Sequence, residues 1–288
     1  MNAFLLIDKA AGVTSHDVVA SARKLFKTKR VGHAGTLDPM ATGVLVLGIG
    51  SATRLLQYVT DGTKRYEATI RLGQSTHTDD HEGEILSTTS AANISEEMVR
   101  ACLKNFVGNI MQKPSSVSAI KIDGKRAHQR VRDGEVVDIP ARSVNISEIE
   151  VKSFNRESEL LDLEVTVTCS AGTYIRAIAR DLGLELNVGG HLTSLRRTLV
   201  SPFEISECGE LGIANSISVA EGISRILPVR TIDLTEASEI SFGRAIAASN
   251  EVGPVAALDQ GGEFVALLLD KEQSGKTVAT PTLVAVKE

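Results

Sequence analysis

The chain has 288 residues, 42% of them hydrophobic and 23% charged, with a net charge of −5; the length fits one large domain or a large one with a small companion. This balance supplies a sizeable core and excludes a disordered or fibrous chain, and no apolar run approaches the roughly 18 residues of a membrane span. Three cysteines without a Cys-x-x-Cys pair exclude a disulfide scaffold and a cysteine-type zinc ribbon, and the N-terminal stretch lacks the basic start of a secretory signal, so a reducing, cytoplasmic setting is expected.

In chain order, Val18, Val19, Ala22, Leu25 and Phe26 after Ser15-His16-Asp17 have the spacing of an amphipathic helix with a Ser or Thr cap. A basic stretch, 24–30, leads into a Gly-rich connection, 31–39, in which Pro39 biases Asp38 away from helical geometry and onto a loop or an element end. Residues 41–49 form a mostly apolar, buried run, and Ser51 is placed as the cap of a short helix carrying Leu55, Leu56 and Val59. From 64 to 73 the residues alternate, with Tyr66, Ala68, Ile70 and Leu72 on one face, as in a half-buried strand. Residues 74–90 read as a polar loop, 95–107 as a helix, and 117–122 as a strand entering a basic turn and helix start at Asp123-Gly124-Lys125-Arg126. Alternation from Leu161 to Cys169 predicts another strand, after which Ser170-Ala171-Gly172-Thr173 opens a helix with Ile175, Ile178, Ala179 and Leu182 on its apolar side. Interleaved strands and helices with hairpin-like spacing predict an α+β fold. After Pro228 the texture changes to short strands around Gly-rich turns, read as a separate small β domain.

Charge is segregated along this order. Residues 1–76 hold ten Lys/Arg against five Asp/Glu, whereas residues 204–288 hold six against thirteen. A basic front half offers the positive field to which a phosphate backbone responds. Aromatic residues make up only 3%, with no Trp, so the three tyrosines, Tyr58, Tyr66 and Tyr174, each need a specific reason.

Several segments hold residue types suited to chemistry. Asp38, on a loop held extended by Pro39, is either a turn former or a nucleophile or base presented on a rigid connection. Tyr174 and Arg176, two apart at a strand-to-helix junction, can both reach over the end of the strand, where an Arg favours the ionised form of a nearby carboxylate; a surface Arg beside a core Tyr is the plain alternative. Tyr66 is either core or a platform for an extruded base, a contact worth about 1–3 kcal/mol. His77-Thr78-Asp79-Asp80-His81 packs metal-ligand residue types together, but the spacing fits no strong template and a solvated loop is favoured. The glycines of 32–50 match neither phosphate-cradling fingerprint. Lys121, Lys125, Arg126, Arg130 and Arg132, with Asp123 the one acid among them, form the densest basic patch.

The ordered combination says more than any one segment. Gly32-His33-Ala34-Gly35-Thr36-Leu37-Asp38-Pro39-Met40-Ala41-Thr42-Gly43-Val44-Leu45 closely resembles the active-site motif of TruB-type tRNA pseudouridine synthases. Five further matches stand in the family's order: Asp8-Lys9-Ala10-Ala11-Gly12-Val13-Thr14-Ser15, Lys64-Arg65-Tyr66, Ser118-Ala119-Ile120-Lys121 with Gly124-Lys125-Arg126-Ala127, Gly172-Thr173-Tyr174-Ile175-Arg176, and Gly190-His191-Leu192-Thr193-Ser194-Leu195-Arg196-Arg197. The resemblance covers residues 5–203 and departs from the family pattern at Ala10, where proline is usual, at Ser115-Ser116 and at His128.

The resemblance implies an intramolecular isomerase that converts uridine 55 in the tRNA T-loop to pseudouridine without cofactor or metal. It implies Asp38 as the nucleophile, Tyr66 as the ring stacked on the flipped uracil and a partner in proton transfer, and Arg176 as the ion-pair partner of Asp38. Tyr174 and Leu195 would line the base pocket, and His33 would fill the space that the extruded base leaves. Lys9 and Lys64, from two of the matched segments, would join the substrate contacts. The implied fold is a mixed-sheet pseudouridine synthase catalytic domain over 1–228 followed by a β-rich, PUA-like domain over 229–288. The implied partner is the T-arm stem-loop of tRNA, with no membrane and no small-molecule cofactor, and a monomer is expected. Two other readings are a T-arm binding module or tRNA-folding chaperone whose turnover is secondary, and a metal-dependent phosphohydrolase built on Asp38 and the His77–His81 loop.

Overall fold

The computed structural model describes residues 1–115, 121–122, 125–126 and 139–285. The chain opens with β1 (Ala3–Lys9), α1 (Ser15–Leu25), β2 (Val31–His33), β3 (Thr42–Ile49), α2 (Leu56–Thr60) and β4 (Lys64–Leu72). A hairpin of β5 (Gln74–Thr76) and β6 (Ile85–Thr88), then α3 (Glu96–Leu103) and β7 (Gly108–Gln112), precede a short ladder between β8 (Lys121–Ile122) and β9 (Lys125–Arg126). Next come β10 (Arg142–Glu157), β11 (Leu160–Cys169), α4 (Ile175–Glu185), β12 (Gly190–Val200), β13 (Phe203–Glu204), β14 (Ser216–Ser218) and α5 (Val219–Ser224). These strands build a ten-stranded sheet in the order β14-β1-β3-β12-β4-β11-β10-β7, with β2 on β3 and β13 on β12. Among the described residues β3 and β12 are its one parallel pair.

The pattern of burial follows from what covers each strand. Tyr66, Ala68, Ile70 and Leu72 of β4 are buried on one face, where they join Val99, Leu103, Ile178 and Leu182 of α3 and α4. The residues between them face outward, which gives the alternation. In β1 and β3 there is none, because both faces are covered. Leu5, Ile7, Leu45 and Leu47 meet α1, while Phe4, Leu6, Val44 and Val46 meet α2 and α5 on the other side. Each such side chain contributes about 1.5–3 kcal/mol of burial. The start of α1 is fixed by a capping box: the Asp17 N–H donates to Thr14 Oγ1 at 3.1 Å, and the Thr14 N–H donates to the Asp17 carboxylate at 2.9 Å.

The second sheet runs in the order β15-β17-β18-β19-β16, from β15 (Val229–Thr231), β16 (Ile246–Ala247), β17 (Pro254–Leu258), β18 (Phe264–Gln273) and β19 (Lys276–Val284), with α6 (Leu234–Ser241) beside it. It is not separate in its packing. Ala256, Phe264, Leu267 and Leu283 share one cluster with Phe4, Val44 and Ile223 of the first part.

Three local expectations need correction. Ser51 lies inside a 3-10 turn, Gly50–Arg54, and α2 starts at Leu56 with no side-chain cap. Residues 74–90 are not simply loop: β5 and β6 pair across them. Residues 125–126 pair as strand with 121–122 instead of starting a helix; the rest of that segment, with Arg130, Arg132 and His128, lies outside the described residues.

Candidate active site

A cavity of about 340 Å³ opens where the centre of the sheet meets the loop before β3 and the start of α4. Asp38, Tyr66, Tyr174, Arg176, Leu195 and Lys64 all line it, as do Arg197 and the 170–173 turn. Six of the eight residues singled out from the sequence therefore meet in one place; His33 and Lys9 stand outside its wall.

Asp38 is delivered by a backbone pinned at several points. Ser15, fully buried at the start of α1, accepts from the Leu37 N–H at 2.9 Å and donates back to the Leu37 carbonyl at 3.2 Å. The Pro39 carbonyl accepts from the Gly12 N–H at 2.9 Å and from Lys9 Nζ at 3.2 Å. Gly35 makes the turn into the loop at φ +88°, which a side chain would strain. The carboxylate itself is 35% exposed, open to the cavity.

Arg176, one residue into α4, meets that carboxylate with two nitrogens: Nε stands 2.9 Å from Oδ2, and Nη2 donates to Oδ1 at 3.1 Å. Such a fork-on-carboxylate pair fixes orientation as well as charge. Nη1 donates to the Thr78 carbonyl at 2.7 Å and stands 3.2 Å from the Asp80 carboxylate. Asp80 in turn accepts from Thr78 Oγ1 at 2.5 Å and from the Glu82 N–H at 3.1 Å. One turn along α4, Arg180 pairs with Asp79 at 3.3 Å and donates to the Lys113 carbonyl at 2.7 Å. His77 and His81 are exposed, as a solvated loop would have them, but Asp79 and Asp80 between them are buried, and this middle of the loop backs Arg176 and Arg180. Among the described residues no three His, Cys, Asp or Glu gather as metal ligands.

Tyr66 lines the cavity from β4, 9% exposed, and burial pushes its phenol above the ordinary tyrosine value, with the Arg197 guanidinium opposing that shift. Tyr174 caps α4, and Gln112 of β7 holds it by both backbone groups: the Tyr174 N–H donates to Gln112 Oε1 at 2.8 Å, and Gln112 Nε2 donates to the Tyr174 carbonyl at 3.0 Å. Lys64 reaches the cavity, yet its ammonium donates to the carbonyls of Gly62, at 2.6 Å, and Thr60, and burial pulls it down to about 8. Lys9 is buried altogether, donating to the carbonyls of Ala10, Val13 and Pro39 at 2.9, 2.7 and 3.2 Å; burial brings it too to about 8. His33 ends β2 beside His16, ring edge to face with centroids 5.5 Å apart; burial and then that neighbour hold it below the usual imidazole value.

Sequence reasoning weighed Asp80 only within a metal-ligand loop and passed over Gln112, Ser15 and Arg197 as functional residues. Only the last two sit in matched motifs, and nothing in their spacing reveals that their side chains turn toward the Asp38 loop.

The chain matches the TruB family pseudouridylate synthase (N terminal domain) over residues 23–175, and the tRNA Pseudouridine synthase II C-terminal family over 227–280. It is 51% identical over 281 residues to tRNA pseudouridine synthase B of Corynebacterium glutamicum (strain R), covering 96% of this chain and 94% of that relative. The chain belongs to the TruB family. Its TruB relatives include tRNA pseudouridine synthase B of Arthrobacter sp. (strain FB24), 50% identical with 96% of each chain covered, and of Rhodococcus jostii (strain RHA1), 49% identical over 95% of this chain and 92% of that one. Among solved structures, a Cbf5-Nop10-Gar1 complex holds a chain 26% identical, with a TM-score of 0.71, covering 99% of this chain and 84% of that one. The TruB fold is thus an α+β pseudouridine synthase domain with a β-rich C-terminal part, and this TruB protein is an RNA-modifying pseudouridine synthase.

Proposed function

We propose that the protein converts uridine 55 in the T-loop of tRNA to pseudouridine, with Asp38 as nucleophile, Tyr66 as the stacking ring and proton-transfer partner, and Arg176 as the clamp on Asp38. The observation that carries this reading is a carboxylate gripped on two oxygens by a buried guanidinium, yet open on its other side to a cavity lined by a tyrosine. The reaction breaks the N1–C1′ bond and makes a C5–C1′ bond to the same uracil, while a proton leaves C5 and N1 gains one. The base must be held while it turns. A carboxylate that adds to the sugar or the ring and later departs splits one hard step into two. The target atoms are unreachable in a stack, so the nucleotide is extruded at a cost of a few kcal/mol, offset by stacking on Tyr66, with Tyr174 and Leu195 beside it. RNA read by loop shape and splayed bases fits such a pocket.

On this reading the T-arm stem-loop is the part of tRNA engaged, Lys64 faces the substrate from the cavity wall, and His33 occupies the gap left by the flipped base. Lys9 acts on the Pro39 turn from within. The protein works as a cytoplasmic monomer, without cofactor or metal, as a catalytic domain over 1–228 with a PUA-like domain over 229–288.

Tritium release from T-arm RNA labelled at uracil C5 tests it. Asp38→Asn should abolish release while RNA affinity stays within about threefold, since a contact made only at the reacting centre leaves ground-state binding alone. Retained turnover in that variant sinks the assignment. Tyr66→Phe and Tyr66→Leu separate hydroxyl from ring, and a Leu variant as active as wild type would rule out stacking.

A further inference from the structure

Strand order places β12 between β3 and β4, and Arg197 is registered opposite Gly43 on one side and Tyr66 on the other. Residues directly opposed across an antiparallel ladder have Cβ atoms about 4.5–5.5 Å apart, so register alone makes Arg197 and Tyr66 neighbours. On the parallel side the strands approach so closely that a Cβ on Gly43, at φ +102°, would stand 2.2 Å from the Arg197 carbonyl oxygen. The guanidinium, 1% exposed, then donates to the carbonyls of Val44 at 2.8 Å, Gly35 at 3.1 Å and Thr36 at 3.4 Å. Among the described residues no carboxylate forms an ion pair with it.

We propose that Arg197 is the positioning residue of the site: its fork holds the Gly35–Thr36 backbone, and with it Asp38, at a set spacing from the tyrosine across the ladder. The proposal rests on the reading of Asp38 and Tyr66 given above. A buried cation without an anionic partner is costly unless every donor is satisfied, and an apolar side chain of similar volume often serves a core as well or better. Bulk alone therefore does not explain an arginine here. Its position does: one end of the fork is tied to the loop that carries the carboxylate, and the charge lies beside the phenol, where it favours the phenolate against the burial that opposes it.

The test uses Arg197→Met and, should that variant fail to fold, Arg197→Lys, which keeps the charge and loses the fork. Single-turnover release on T-arm RNA should fall about 100-fold or more in either, with RNA affinity within about threefold, because the loss is confined to the reacting centre. A second readout is one that a merely structural role would leave unmoved. Replacing the three tyrosines biosynthetically with a difluorinated tyrosine, whose phenol ionises near neutrality, gives three fluorine resonances, assigned by Tyr→Phe changes at positions 58, 66 and 174. In Arg197→Met the Tyr66 resonance should titrate at higher pH than in wild type, while the other two stay put. Turnover within threefold of wild type, equal losses of binding and turnover, an unmoved Tyr66 titration, or failure of both variants to fold each overturns the proposal. Asp38→Asn run alongside separates the levels: an active Asp38→Asn defeats the functional reading itself, whereas an inactive one beside a fully active Arg197 variant defeats only this inference.

Discussion

Lys9 and Lys64 show what burial does to a charge that has hydrogen bonds but no anion in contact. Each ammonium is ringed by carbonyl oxygens and each is pulled down to about 8, against about 10.5 in the unfolded chain. Between those values the unfolded chain holds a proton that the folded one has released, so the lysine contribution to unfolding free energy rises with pH across 8 to 10.5. Below 8 both states are charged and the cost of burial is constant. Cys169 and Cys208, pushed up to about 11 and about 12, work in the opposite sense above 9, so the lysine part is isolated by difference. Urea midpoints for wild type and Lys9→Met should move further apart as pH is raised from 8 towards 10.5, because only wild type carries the rising lysine contribution, and a constant gap would refute the shift. At pH 7, Lys9→Met leaves the Ala10, Val13 and Pro39 carbonyls without this donor and should cost about 1–3 kcal/mol with RNA affinity nearly unchanged, because Lys9 does not face the cavity.

At the scale of elements, the Asp38 carboxylate belongs to no helix or strand; it hangs between α1, β1 and β12. Ser15→Ala removes both bonds to Leu37 and should cost about 1–3 kcal/mol of stability, with a larger proportional loss in turnover than in RNA affinity; equal losses would place Ser15 in the core alone. Gly43→Ala combines a strained φ with backbone overlap against Arg197 and should cost more than about 3 kcal/mol in a denaturation series. Much at this scale was legible in the chain. The alternation in β4 and β11 and the apolar stripe of α4 depend on one covered face each, a local signal, and the Gly–Pro loop announced Asp38. Buried Asp80 was not legible, because its burial depends on Arg176, far along the chain. The β5–β6 hairpin was missed for a related reason: Ile85 and Leu86 are exposed, so no apolar alternation marks the strand. Lys9 and Lys64 stand in matched motifs, but only the fold shows both ammoniums turned onto nearby loop carbonyls, Lys9 buried and Lys64 at the cavity wall.

Over the whole molecule, the change of texture after Pro228 correctly marked a second sheet but not its attachment. With Ala256, Phe264, Leu267 and Leu283 packed into the cluster that holds Phe4 and Val44, the two sheets should melt together. Calorimetry should give one transition, and Phe264→Ala should lower it for probes in either sheet; two resolved transitions would show independent folding. The strand order carries a consequence for biosynthesis. The strand that closes the centre of the large sheet, between β3 and β4, is β12, and it leaves the ribosome after both. A nascent chain that has emerged only as far as α4 already possesses its carboxylate and its clamp. It still lacks the plank that joins them to the tyrosine, and joining residues 43 and 197 means closing a long loop, which is slow. Modification should therefore begin only once translation has passed residue 200, and no truncated fragment short of that point should act on RNA.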